Sequence, residues 1–245
     1  MSAHIVVLSG GLGVPSTSRM LGDQLAASTL RALSGRGIEA AIEVVELREH
    51  AVDIATMMLT RFPSPRLAEA IERVLAADAV IAVSPVFTAS VSGLFKSFLD
   101  VLDPQALAGK PVLLAATGGS SRHSMVLDHV MRPVFSYLRA DVAPTGVFAA
   151  PEDWGGDTGE GPLSARGDRA GRELADAVAR NLGQAQAQAQ AQGAAAAGTG
   201  SAGQAAGTTP DAGPGAEPAS APGSSGAGPM QSLPFEQLLA DIQGR

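Results

Sequence analysis

Three short runs without a polar residue constrain this 245-residue chain more than anything else in it: Ile5-Val6-Val7-Leu8, residues 79–83 (Ala-Val-Ile-Ala-Val) and residues 111–116 (Pro-Val-Leu-Leu-Ala-Ala). A strand with no residue to offer water must be covered on both faces. Such runs are typical of central strands in a parallel sheet flanked by helices. Each run stops at small, hydroxylic or proline residues: Ser9-Gly10-Gly11, Ser84-Pro85 and Thr117-Gly118-Gly119. Open α/β sheets bind their ligands at the carboxyl ends of such strands.

The intervals between the runs carry helical periodicity. Met20, Leu21, Leu25, Ala26, Leu30 and Leu33 recur at helical spacing before Gly35 and Gly37. Residues 40–47 carry Ile42, Val44 and Val45 and predict a second strand. Pro65 opens a helix over 67–76 with Ser64 as N-cap. Gly93 opens another, to residue 102. Residues 125–138 read as helical, with Pro133 as a kink or a start. Residues 141–149 predict a fifth strand and 166–182 a fifth helix. Five alternations predict a flavodoxin-like α/β three-layer sandwich around a five-stranded parallel sheet.

The composition then changes. Residues 184–229 are almost entirely Ala, Gln, Gly, Ser, Thr and Pro, with Asp211 and Glu217 as the charges. Such a stretch buries too little apolar surface to offset a chain entropy of about 1–2 kcal/mol per residue. The Ala-Gln repeat can prolong the preceding helix by a few turns. The expected organisation is a domain over 1–183, a disordered linker over 184–229 and an amphipathic docking helix over 230–245. In the last, Phe235, Leu238, Leu239 and Ile242 share a face.

Composition excludes several function classes. The net charge is −7 with no basic stripe, which argues against nucleic acid. There is no cysteine, hence no disulfide, thiol catalysis or cysteine-based metal site. The four histidines (His4, His50, His123, His129) form no ligand cluster, so no metal is expected. Neither a signal peptide nor a membrane-spanning run is apparent, and the expected location is cytoplasmic.

The three loops hold the candidate site residues. In the first, Ser9, Gly10, Ser16, Thr17, Ser18 and Arg19 combine glycine freedom with hydroxyls near a helix N-terminus, a natural anion site. Neither a Walker lysine nor a Gly-x-Gly-x-x-Gly fingerprint is present. The hydroxyls suit a phosphate monoester such as that of FMN; plain N-capping by Ser16 or Ser18 reads equally well. In the second loop, Pro85, Val86, Phe87 and Thr88 offer a flat, backbone-rich wall for a planar ring; the alternative is a tight turn with Phe87 in the core. In the third, Thr117, Gly118, Gly119 and Ser120 allow close backbone approach, and Arg122 and His123 can place positive charge nearby. Asp153-Trp154 holds the chain's single tryptophan, to which the sequence assigns no role. No nucleophile–base–acid set is visible. That suits a reaction whose chemistry is carried by cofactors.

Taken together, the hydroxyl-rich loop, the run Ser-Pro-Val-Phe-Thr-Ala-Ser-Val-Ser-Gly-Leu-Phe-Lys over 84–96 and Ala-Thr-Gly-Gly over 116–119 resemble the NAD(P)H-dependent FMN reductases of flavodoxin-like fold. Residues 122–150 are similar to the subgroup that partners luciferase-like flavin monooxygenases. Many relatives carry Ser-Leu-Arg in the first loop and Tyr after Pro-Val. Here these positions read Gly-Leu-Gly and Phe87, leaving Arg19 as the arginine for the phosphate. The resemblance implies that Ser9, Ser16 and Ser18 hold the FMN phosphate. Residues 85–88 and 117–119 would frame the isoalloxazine. Hydride would pass from NADPH or NADH to flavin N5 with no catalytic side chain. The resemblance also implies a homodimer or homotetramer, with the 93–102 helix, through Phe95 or Phe98, as a candidate interface. The alternative is a flavodoxin-like FMN-binding electron carrier, or a partner-docking module, without its own NAD(P)H activity.

Overall fold

The computed structural model describes residues 2–154 and 161–198. The expected docking helix over 230–245, and the linker from residue 199 onward, lie outside them. Strand β1 (Ser2–Ser9) lies between the edge strand β2 (Glu39–Glu46) and the central strand β3 (Ala79–Phe87). Next comes β5 (Pro111–Thr117), then β6 (Asp141–Val142) and β7 (Val147–Ala149), both paired with β5. These pairings are parallel. Ile5 stands opposite both Ile42 and Ala79, and Val80 opposite Val112. A short β4 (Ser90–Val91) adds antiparallel to the end of β3.

Residue alternation along the strands divides the core in two. Val6, Leu8, Val80, Ala82, Val112 and Leu114 face one apolar cluster. It is completed by α2 (Ala51–Thr60), α3 (Pro65–Ala76), α4 (Gly93–Asp100) and α5 (Arg132–Tyr137). Ile5, Val7, Ile81, Val83, Leu113 and Ala115 face the other, closed by α1 (Thr17–Ser34) and α6 (Pro162–Gly198). The side-chain period of two therefore builds both layers from the same strands. Helices α1 and α6 approach closely at Gly171. A Cβ there would lie 2.9 Å from the backbone of Ser28 and Thr29.

The architecture is the flavodoxin-like sandwich that the pattern predicts, with four local differences. Strand β3 does not end at Ser84-Pro85 but continues to Phe87 and folds back as β4. Helix α2 fills an interval in which the sequence offered no periodic signal. Its one fully buried residue is Ile54, while Val52 and Leu59 are exposed. Residues 127–131 form a π-helical turn that runs directly into α5, and Pro133 stands at the start of α5.

The fifth strand is the fourth difference. It is cut into β6 and β7, which together with the added β4 makes seven strand segments where five were expected. Pro144 brings no N–H to the ladder. The Thr145 N–H and hydroxyl both donate to the Glu173 carboxylate of α6, each at 2.8 Å. Arg132 donates to the carbonyls of Ala143 and Pro144. Ala143 N–H still donates to Val112 O of β5 at 2.8 Å, and the ladder then breaks at Pro144 and Thr145, whose partners lie outside the sheet.

Helix α6 begins at Pro162 and runs through the Ala-Gln repeat to Gly198. No described helix is long and apolar enough to cross a membrane.

Candidate functional site

Loop 10–16 leaves β1 over the N-terminus of α1. Ser16 is the N-cap: its Oγ accepts from the Arg19 N–H at 3.2 Å. A Cβ on Gly11 would lie 2.1 Å from that same Oγ, so glycine is the residue that lets the cap close over the loop. Ser18, in the first turn of α1, and Thr117, at the end of β5, share a buried hydrogen bond of 2.7 Å. It ties the first loop to the third. Ser9 Oγ is buried and has no partner among the described residues. Gly10 N–H donates to Val83 O, but among the described hydrogen bonds none comes from the backbone N–H of Gly11, Leu12, Gly13, Val14 or Ser16. The Ser16 hydroxyl, having accepted from Arg19, keeps its own O–H to donate.

Arg19 is engaged with carboxylates. Its Nε donates to Asp23 and its Nη1 to Glu46, each at 2.8 Å. The Asp23 hydrogen bond, reduced by burial and reinforced by Glu46, raises the guanidinium above its ordinary pKa.

The second loop is a two-residue turn between the paired Phe87 and Ser90. Thr88 and Ala89 take φ of 49° and 61°. Positive φ at both central residues is what a tight hairpin asks for, and glycine or asparagine usually supplies it. The turn holds Phe87 at 47% exposure, so the core alternative for that ring is excluded. Ser84 is buried; its Oγ accepts from Ser92 N–H, and Ser92 in turn caps α4 at Phe95. Phe95 and Phe98 are both buried, which corrects the expectation that either is exposed for a subunit interface. Phe95 instead packs under Gly10 and against Phe135, ring centroids 6.3 Å apart.

A cleft of about 520 Å³ opens at the carboxyl ends of β3, β5 and β7. It is lined by Thr17, Met20, Pro85, Val86, Phe87, Thr117, Gly118, Gly119, Ala149, Pro151 and Trp154. Seven of the residues singled out from the sequence therefore converge on one cavity. Ser9, Gly10, Ser16, Ser18 and Arg19 lie at the adjoining loop. Thr88 sits in the turn. Ser120 accepts from Arg122 N–H on an exposed turn beside Gly119, and the Arg122 side chain is exposed.

Met20, Ala149, Pro151 and Trp154 were not foreseen. Trp154 is placed by Asp153, whose carboxylate accepts from Ala150 N–H at 2.9 Å and from Arg166 at 2.8 Å. Burial pushes the Asp153 carboxyl up, but those donors outweigh it and hold it below the usual range. The one available signal was that 153–154 follow an apolar strand. Among the described residues no three His, Asp or Glu are grouped to hold a metal.

Residues 3–155 match the family model described as NADPH-dependent FMN reductase. Among curated proteins, the chain is 35% identical over 150 residues to an FMN reductase (NADPH) of Pseudomonas aeruginosa, covering 61% of this chain and 78% of that protein. It is 40% identical over 151 residues to the NADH-dependent FMN reductase SfnF of Pseudomonas fluorescens, with the same coverage. Among solved structures, an oxidoreductase from Corynebacterium diphtheriae superposes with a TM-score of 0.70 at 43% identity, covering 73% of this chain and 98% of that one.

Proposed function

Because the chain belongs to the NADPH-dependent FMN reductase family, we propose that it is an NAD(P)H:FMN oxidoreductase that supplies reduced FMN to a luciferase-like flavin monooxygenase. The observation that carries the reductase reading is the cleft between Pro85–Phe87 and Thr117–Gly119, with an unspent hydrogen-bonding loop at its border. The two relatives above are named for different nicotinamides, and the family's cofactors are FMN with NADPH or NADH.

The residues fit FMN. A phosphate monoester needs several donors, and the loop offers five N–H groups without described partners, the Ser16 O–H and the α1 N-terminus. The orphaned Ser9 Oγ adds a buried polar atom at the same strand end. Ser9, Gly10, Ser16, Thr17, Ser18 and Arg19 would hold the phosphate end. Pro85, Val86, Phe87 and Thr88 would form one wall for the ring. Thr117, Gly118, Gly119, Ser120 and Arg122 would form the other. When bound, FMN supplies the two-electron chemistry, accepting hydride from the nicotinamide. The chain's part is to bind, orient and exclude water, and no side chain need move a proton.

The similarity of residues 122–150 to the monooxygenase-partnering subgroup supports the supply role. The same resemblance supports a homodimer or homotetramer working in the cytoplasm, where reduced nicotinamides are the common reductant. The test is direct. Purified full-length protein with added FMN should consume NADPH or NADH, followed by loss of reduced-nicotinamide absorbance. Oxidation of neither coenzyme overturns the reductase reading and favours a flavin carrier.

A further inference from the structure

Arg48 belongs to none of the ligand-facing sets above. It lies in the 3₁₀ turn Leu47–His50 that follows β2, and β2 is the neighbour of β1. That placement sets the turn beside loop 10–16. Arg48 Nε forms an ion pair with Glu46 Oε2 at 2.6 Å without the geometry of a hydrogen bond, and Nη1 donates to Gly13 O at 3.2 Å. The other Glu46 oxygen accepts from Arg19 Nη1 at 2.8 Å. The Glu46 side chain, 13% exposed, is thus held between two guanidiniums. One stands on the first turn of α1 and the other reaches the loop tip.

The charges of this cluster cancel: Arg19 and Arg48 against Asp23 and Glu46. The cluster as a whole carries no net charge, and the contribution of Arg48 to it is geometric. The Gly13–Val14 peptide is trans, and a trans peptide points its C=O and N–H in opposite directions. Fixing Gly13 O on Arg48 therefore fixes the direction of the Val14 N–H, one of the five loop donors without a described partner. A loop set before its ligand arrives avoids the ordering cost at binding.

We infer that Arg48 is a positioning residue that clamps the tip of loop 10–16 from outside the ligand site and sets its N–H groups for a phosphate. This rests on the FMN reading above. The experiment compares wild type, Arg48→Ala and Arg48→Lys in the full chain. Dissociation constants are measured for FMN and for riboflavin, which lacks the phosphate. Amide hydrogen exchange over residues 10–17 is measured without added flavin.

Arg48→Ala should raise the FMN Kd about tenfold, the size of a lost hydrogen bond to a charged group. Riboflavin binding should stay within about twofold, and exchange in the loop should rise. Arg48→Lys should fall between, since one ammonium cannot span Glu46 and Gly13 O as a guanidinium fork does. Equal loss of FMN and riboflavin, or unchanged FMN affinity, overturns the clamp. If the wild type binds neither flavin, the FMN reading fails by itself. The exchange data then decide the clamp, and unchanged exchange overturns it.

Discussion

Two loops border the same cleft and are held in opposite ways. Loop 10–16 is tied down by bonds made elsewhere: Ser16 to Arg19 N–H, Ser18 to Thr117, Arg48 to Gly13 O. Five of its backbone N–H groups, without partners among the described hydrogen bonds, thereby stay available to a ligand. The 87–90 turn is held by the β3–β4 pairing against its own residues' preference, with Thr88 and Ala89 both at positive φ. One loop spends side chains to keep backbone donors available. The other stores conformational strain to set Phe87 at the rim. For L-residues the left-handed region costs about 1–2 kcal/mol, so the two loops should answer substitution with opposite signs.

The largest effect is expected where the first loop is tied to β5. Thr117→Val removes one partner of the buried Ser18–Thr117 hydrogen bond and leaves the Ser18 hydroxyl unsatisfied. This should cost about 1–3 kcal/mol, while the double variant Ser18→Ala/Thr117→Val should recover much of it, because no orphan remains. Urea unfolding midpoints at constant m-value give the cycle. Additive losses would mean that the two hydroxyls act independently and that the loop is not anchored through them.

How much of this was legible in the sequence follows the same division. The three apolar runs predicted the central strands because burial on both faces leaves a continuous signal. Ser16 and Ser64 were readable as caps because a cap is a local event, and both accept the expected N–H. What escaped was set by distant residues. Strand five breaks at Pro144 and Thr145, which Arg132 and Glu173 satisfy from other elements. Helix α2 carries too narrow an apolar stripe to announce itself. In the site, Thr117, Gly118 and Gly119 could be read because a strand run ends there. Trp154 could not, because it reaches the cleft through Asp153 and Arg166. Arg48 could not, because its contact to Gly13 spans 35 residues.

A middle-sized effect is expected inside the first loop. In Gly11→Ala the new methyl would sit 2.1 Å from Ser16 Oγ. The hydroxyl must then rotate away and give up Arg19 N–H. Losing the cap costs about 1 kcal/mol, and FMN affinity should fall with it. The compound variant Gly11→Ala/Ser16→Gly tests the cause. Glycine is tolerated at an N-cap for a few tenths of a kcal/mol and removes the clash, so thermal stability should largely return. FMN affinity should remain low because the Ser16 O–H is gone. Recovery of both would dissociate the Ser16 hydroxyl from the ligand.

The smallest effect should carry the opposite sign. Ala89→Gly places at φ 61° the one residue that adopts such a backbone without steric cost. The relief of about 1 kcal/mol is partly offset by the greater freedom of glycine in the unfolded chain. A net gain below about 1 kcal/mol should remain, visible as a modest rise in Tm. Phe87 is kept in place by its pairing with Ser90, so FMN affinity should change less than in either first-loop variant. A fall in Tm would show that the Ala89 methyl contributes contacts that outweigh its backbone strain. The contrast between a bonded loop and a strained one would then fail at the turn, even if the first loop behaves as expected.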